Sequence, residues 1–298
     1  VEQCSDLESG LIVLKNKEEP PEHISLIPDQ HVNAEPIPSA VADVVQKFEK
    51  GSLVGSAITG FLSRDRPRVR GLTPGEPLVV ADDPQARLNE VIDIVRRLDN
   101  SYLPIQGPPG TGKSYTAKHI IAELIKDGAK IGITSNSHKA INHLIKVTVE
   151  HCKERGIKAQ FACAKDPDGE MAGLGVFECP NNELGEAIDN GWVAGTTAWG
   201  FSRGEVVDTL DYLFVDEAGQ VSAANLVAMS RSAKNLVLMG DQMQLGQPSQ
   251  GVHPGESGLS VLDYLMHEMP TIPPDRGVFL GTTFRMHERV NAYISEQV

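Results

Sequence analysis

The chain has 298 residues, of which 40% are hydrophobic and 22% charged, and its formal net charge is −13. That balance describes a globular protein with room for one large or two ordinary domains, each with its own core. It also excludes a surface that is basic throughout, as unselective phosphate binding would require. No apolar run approaches the length of a membrane span, and the first residues do not read as a secretory signal. Cys4, Cys152, Cys163 and Cys179 form neither a CxxC pair nor a zinc-finger spacing with histidine, so they read as free thiols of a reducing, cytoplasmic protein.

Residues 1 to about 40 are rich in Glu, Pro and Ser and show little periodicity, which reads as a linker or the frayed end of an upstream domain. Val41 to Leu62 carries a helical pattern in two pieces, broken near Gly51. Arg64 to Asp83 is rich in Pro, Gly and Arg and reads as a connecting loop. Its alternating Arg64, Arg66, Arg68 and Arg70 are either a local basic track or ordinary solvated charges, and the same choice applies to His138, Lys139, Lys146, Lys153, Arg155 and Lys158. From Pro84 onward, helical and short apolar segments alternate, the pattern of an α/β domain with a parallel sheet. The predicted strands are Leu103–Gln106, Ile131–Thr134, Phe161–Ala164, Trp192–Thr196, Tyr212–Val215, Leu236–Met239 and Val278–Thr282. Pro104 conflicts with the first of these being central, because proline removes a ladder donor. There is no internal repeat. The chain therefore divides into a connecting region, 1–80, and an α/β domain, 81–298.

The run Gly107, Pro108, Pro109, Gly110, Thr111, Gly112, Lys113, Ser114 fits G-x-x-x-x-G-K-[ST], the phosphate-binding P-loop. Its glycines let several backbone N–H groups turn toward one anion. Lys113 is predicted to reach the β- and γ-phosphates, and Ser114 to hold Mg²⁺. The context fits too. A predicted strand leads in, and Tyr115 opens a helical stretch in which Ala117, Ile120, Ile121, Leu124 and Ile125 share one face, with Gly128 as its stop. An ordinary glycine-rich turn needs neither neighbour.

Three further segments place polar residues just past apolar strands, where open α/β sheets bind ligands. After Leu210–Val215 come Asp216, read as a Mg²⁺ residue, and Glu217, read as the general base for water. After Leu236–Met239, Gln244 can approach the γ-phosphate and orient water. After Val278–Thr282, Arg285 can reach a phosphate. The run Thr134-Ser-Asn-Ser-His-Lys139 precedes another helix. Its short polar side chains suit either a phosphodiester backbone or helix capping by Ser135 or Ser137.

In this order the strings IQGPPGTGKS, TSNSHKAINHLI, AGTTAW, FVDEAGQ, LMGDQMQLGQP and TTFRMHERVN resemble superfamily 1 helicases. They are most similar to the subclass B branch that holds the nonsense-mediated-decay RNA helicase and the Okazaki-fragment nuclease-helicase. The strings cover Gln106 to roughly Asn291, about two-thirds of the chain. DEAGQ and SQGVHPGESGLSVL look like bacterial members fused to a RecB-like nuclease. The resemblance implies a RecA-like domain that binds ATP and Mg²⁺ and moves 5′ to 3′ on a single strand, with DNA favoured over RNA and the choice left open. It implies that Phe284 stacks on adenine, that Gln85 reads it across a longer spacing than usual, and that Ser135, Asn136 and Thr197 touch the nucleic-acid backbone. Val1 in place of a Met, and the end shortly after the fourth motif, suggest the first motor domain of a longer enzyme whose second RecA-like domain lies elsewhere. Two rival readings are a P-loop switch that moves nothing and a fragment that binds ATP poorly without its other half.

Overall fold

The computed structural model describes residues 34–244, 253–267 and 269–282. Eight strands form one sheet: β1 Tyr102–Gln106, β2 Ile131–Thr134, β3 Phe161–Cys163, β4 Val176–Glu178, β5 Val193–Gly195, β6 Leu210–Val215, β7 Ala233–Gly240 and β8 Val278–Phe279. The order is β4-β3-β5-β2-β6-β7-β1-β8, and every pairing is parallel. Nine α-helices are described: α1 Ile37–Glu49, α2 Ala57–Leu62, α3 Pro84–Arg96, α4 Lys113–Lys126, α5 His138–Glu154, α6 Leu184–Asp189, α7 Ala198–Phe201, α8 Ala223–Ser230 and α9 Val261–Met266. None of these helices is long and apolar enough to cross a membrane.

The central strands are apolar on both faces because helices cover both. Side chains alternate across a strand. Leu103 and Ile105 of β1, Tyr212 and Phe214 of β6, and Val237 and Met239 of β7 pack with α3, α4 and α5. Their neighbours Tyr102, Leu213, Val215, Leu236 and Leu238 pack with α2, α8 and α9 on the other side. Burying one such large apolar side chain is worth about 1.5–3 kcal/mol, so the alternation fixes register throughout the sheet. A one-residue slip would exchange the two cores.

All seven predicted strands are present, with ends shifted by a few residues. The eighth, β4, was not anticipated. It is a three-residue edge strand in which only Val176 is buried, too short for a period to register. Pro104 lies inside β1 without penalty. Leu236 N–H donates to Ser101 and Gly107 N–H to Gly240, so odd-numbered residues of β1 face β7 and Pro104 faces the other side. There β8 pairs only from Ile105 onward, and the missing donor leaves no gap. The helix after the P-loop stops as its sequence predicts. Gly128 takes φ +77°, its N–H donates to Ile125, and that of Ala129 donates to Leu124, the paired bonds of a Schellman cap.

The two predicted helical pieces before the loop are α1 and α2. α2 lies on the sheet, where Phe61 is fully buried and meets Tyr102 edge-on, and α1 lies on α8, with Asp43 paired to Arg231 just past that helix. The arginines of the following loop hold this arrangement together. Arg64 stacks on Tyr264 at 4.0 Å, donates to its carbonyl at 2.7 Å and pairs with Glu256 at 2.6 Å. Arg66 pairs with Asp275. Arg68 donates to the carbonyls of Gly55, Ser56 and Asn100, and Arg70 to that of Arg96. A basic track at this loop is therefore set aside. These guanidinium groups are occupied by the chain's own acceptors. Cys152, Cys163 and Cys179 are buried free thiols, and burial pushes that of Cys163 up to about 11. Cys4 lies outside the described residues.

Candidate nucleotide site and strand-contact rim

Because all strands run the same way, their C-terminal ends share one rim, and the register aligns them. Gln106 pairs with Gly240, Val215 with Leu238, Thr134 with Val215, and Ile133 with Gly195. The residues that follow β1, β7, β6, β2 and β5 therefore emerge side by side.

The P-loop wraps the end of β1. Gly110 and Gly112 adopt φ +85° and +86°, which a β-carbon disfavours. A β-carbon on Gly107 would lie 2.4 Å from Thr111 Oγ1. Thr111 Oγ1 closes the loop by donating to the Pro108 carbonyl at 2.8 Å. Gly112 caps α4 without a side-chain bond, so the first N–H groups of the helix point into the loop with no internal partner. Lys113 Nζ folds over the loop and donates to the Gly107 and Pro108 carbonyls at 2.7 and 3.4 Å. These neutral acceptors occupy the amine where an anion would replace them. Ser114 is half-buried on the first turn of α4.

Two strands away, Asp216 is buried at the end of β6. Burial, with Glu217 adding to it, raises its carboxyl to about 6, against the bond from Glu217 N–H and the attraction of Lys113. Lys113 is thus within electrostatic reach of Asp216. Glu217 takes φ +53° and donates its N–H to Asp216 Oδ1 at 3.0 Å. Its Oε2 is buried with no hydrogen-bond partner. A left-handed Glu and an unpartnered buried carboxylate oxygen both cost free energy, and such costs concentrate where a ligand is meant to supply the missing partner.

The loops after β6 and β7 touch backbone to backbone. Ala218 N–H donates to Met239 at 2.7 Å. A β-carbon on Gly219 would lie 2.0 Å from the Asp241 carbonyl oxygen, and one on Gly240 would lie 2.8 Å from Ala218 N. This close approach brings Gln244 next to the acidic turn, where its Oε1 accepts from Gln220 Nε2 at 3.3 Å. Beneath the P-loop, Gln106 Nε2 donates to Gln242 Oε1 at 2.7 Å, and its own Oε1 accepts from Ile272 N–H at 2.7 Å. Gln106 and Gln242 were not singled out from the sequence. The available signal was a buried amide ending an otherwise apolar strand.

A cavity of about 590 Å³ opens beside the P-loop, lined by Gln85, Leu88, Thr111, Tyr115 and Leu280 among others. Gln85 reaches it because α3 starts next to the loop. The long sequence spacing is taken up by α3 and the turn that follows it. Arg87, also missed, ties the cavity's two sides together by donating to the carbonyls of Ala81 and Phe279 at 3.3 and 3.0 Å. Phe284 and Arg285 lie outside the described residues.

On the other half of the rim, Ser135 is buried and Asn136 donates through Nδ2 to the Gln220 carbonyl. Ser137, rather than Ser135, caps α5 by accepting from Ala140 N–H at 3.1 Å. Thr197 caps α7 with its backbone alone and is half-buried. Thr196 before it donates to Asn181 at 2.7 Å.

This chain belongs to the AAA domain family, which matches residues 92–251. Among its relatives, the DNA replication ATP-dependent helicase/nuclease DNA2 of Saccharomyces cerevisiae is 29% identical over 180 residues, covering 58% of this chain and 12% of that protein. The Regulator of nonsense transcripts 1 homolog of Drosophila melanogaster is 24% identical over 255 residues, covering 71% of this chain and 21% of that protein. The resemblance to the superfamily 1 helicases is thereby borne out. Among solved structures, the Pif1 helicase from Candida albicans is 14% identical with a TM-score of 0.39, covering 73% of this chain and 44% of that one. The chain spans between an eighth and a fifth of the length of these two curated relatives.

Proposed function

We propose that this chain is the ATP-binding motor domain of a helicase or translocase that couples ATP hydrolysis to 5′–3′ movement on single-stranded DNA. The observation that carries the reading is the convergence of Lys113, Asp216, Glu217 and Gln244 on the ends of three adjacent strands, β1, β6 and β7. In this reading the domain spans residues 81–298, with 1–80 as the connection. The N–H groups of Gly107 to Ser114 and the amine of Lys113 take the phosphates, while Gln85, Tyr115 and Phe284 hold the base. Ser114 and Asp216 are the residues that would hold Mg²⁺, which neutralises phosphate charge when bound. The fit is chemical: a hydroxyl and a buried carboxylate are oxygen donors of the kind Mg²⁺ takes. Glu217, whose Oε2 lacks a partner, accepts the proton of the attacking water. Gln244 orients that water, and Arg285 stabilises charge developing on the phosphoryl oxygens. Asn136 and Thr197, with Ser135 after a local shift, contact the sugar–phosphate backbone. The reading implies a second RecA-like domain in the same protein to complete both sites, and it leaves room for a fused nuclease domain.

The test is steady-state ATP hydrolysis by the full-length protein, with and without oligothymidylate or oligouridylate of equal length. The expected result is stimulation, stronger with DNA, together with unwinding of a duplex that carries a 5′ single-stranded tail. ATP binding with no strand-dependent turnover would favour the nucleotide switch instead.

A further inference from the structure

Gln220 joins the two halves of the rim. Its N–H donates to the Glu217 carbonyl at 2.7 Å, which fixes it in the turn that follows the acidic pair. Its carbonyl accepts from the Asn136 side chain, and its own side-chain amide donates to Gln244 Oε1 at 3.3 Å. Asn136 comes from the end of β2 and Gln244 from the loop after β7, with β6 between them in the sheet. An amide has few hydrogen-bonding positions. A strand phosphate that engages Asn136 Nδ2 draws it from the Gln220 carbonyl, and a nucleotide phosphate would accept from Gln244 Nε2, whose direction is set by the bond from Gln220 to Gln244 Oε1.

We infer that Gln220 is the positioning residue that couples the strand-contact half of the rim to the nucleotide half, by bonding one ligand-facing amide of each. The inference rests on the reading above for the roles of Asn136 and Gln244. When a strand withdraws Asn136, the Gln220 turn loses one of its anchors and can reorient, which changes where Gln244 is held. Occupation of either side thereby alters the free energy of the other, and this linkage is reciprocal by thermodynamic necessity. The physical carrier is the chain Asn136–Gln220–Gln244, in which Asn136 would be bonded either to Gln220 or to the strand. A merely structural glutamine would contribute to stability without linking the two affinities.

The experiment compares wild-type full-length protein with Gln220→Ala and Gln220→Met. The methionine variant keeps length and volume while removing the amide, so it separates a lost bond from a lost fold. Oligothymidylate is the strand probe and a fluorescent ATP analogue the nucleotide probe. Two quantities are read: the ratio of ATP turnover with and without oligonucleotide, and the change in oligonucleotide Kd on adding nucleotide. Turnover without oligonucleotide is the reference against which each variant's stimulation is read. The stimulation ratio and the nucleotide effect on Kd should both fall by about fivefold or more, the lower end of ordinary coupling. Variants that keep the wild-type ratio and the wild-type Kd effect overturn the coupling role while leaving the motor reading intact. A wild-type protein that no strand stimulates overturns the motor reading, and the coupling with it.

Discussion

Around the ends of β1, β7 and β6, the rim is made of constrained glycines and polar atoms waiting for a partner. Around the ends of β2 and β5 it is made of polar side chains that already have structural work. Gly110 and Gly112 sit in left-handed conformations, Gly219 and Gly240 let two loops meet, and Glu217 Oε2 is buried without a bond. Across the rim, Ser137 caps α5, Asn136 holds Gln220, Thr196 holds Asn181 and Ser135 is buried. The nucleotide half is preorganised, which is what electrostatic stabilisation of phosphoryl transfer requires. On the proposed reading, the strand half would exchange internal bonds for external ones each time the track advances, and weak, replaceable contacts would suit a surface that has to let go.

The sharpest way to break this comparison is at the preorganised half. Lys113→Ala should lower ATP turnover of the full-length protein on the order of 10³-fold or more, since phosphoryl transfer depends almost wholly on positioning and charge stabilisation. Its circular dichroism should match wild type, because among the described residues the hydrogen bonds of Lys113 Nζ go to the loop carbonyls of Gly107 and Pro108. Glu217→Gln should lose about 10²–10⁴-fold in kcat while still binding nucleotide, measured by fluorescence titration. Normal turnover in the Gln variant would remove Glu217 from the role of base.

Next in size is the stability held at Asp216. Its carboxyl lies at about 6 in the fold against 3.8 for an unperturbed group. Between those values the folded state binds more protons than the unfolded one, so stability falls as pH rises through that window, and the full cost is present above it. Asp216→Asn should therefore stabilise the protein at pH 7, by roughly 3 kcal/mol at most. The gain should shrink on going from pH 6 to pH 4. Urea melts at several pH values check it, without nucleotide or Mg²⁺. The same variant should lose the extra stability that wild type gains from Mg²⁺-nucleotide. A variant that is less stable at pH 7 would show that Asp216 is a structural carboxylate rather than one held at a cost for a ligand.

The contrast also explains what was legible in the sequence. The P-loop can be read from a string because its geometry admits few residues: a β-carbon at Gly107 meets Thr111, and Gly110 and Gly112 need positive φ. The sheet was legible wherever both faces are buried, since an apolar run ending in Asp-Glu or Gly-Asp-Gln has one good place in such a fold. β4 was not, because three residues at an edge carry no period. Arg64, Arg66, Arg68 and Arg70 stayed undecided in the sequence for a different reason. Composition records their charge but not the carbonyls and carboxylates that consume it, which come from residues as distant in sequence as Tyr264 and Asp275. The same holds for Gln106, Gln220 and Gln242. Each is an ordinary polar residue until the sheet order brings its partner beside it.

The smallest expected effect lies in the strand half and separates its two kinds of residue. Ser137 and Asn136 are neighbours in one polar run, yet Ser137 is bound to its own helix and Asn136 to the nucleotide half. Ser137→Ala removes the cap of α5 and should cost about 1 kcal/mol of folding stability, seen as a modest shift in the urea midpoint with the slope unchanged. It should leave oligothymidylate affinity within error of wild type, because the hydroxyl oxygen is turned to the Ala140 N–H as the cap of α5. Asn136→Ala should weaken oligothymidylate binding several-fold, since it removes a hydrogen bond to the strand backbone. The dependence of log Kd on log salt should be less steep for Asn136→Ala only if the amide acts together with a nearby cation such as Lys139. A neutral amide on its own neutralises no phosphate. If Ser137→Ala weakens strand binding as much as Asn136→Ala does, the run acts as one contact surface, and the division of this half into capping and contacting residues is wrong.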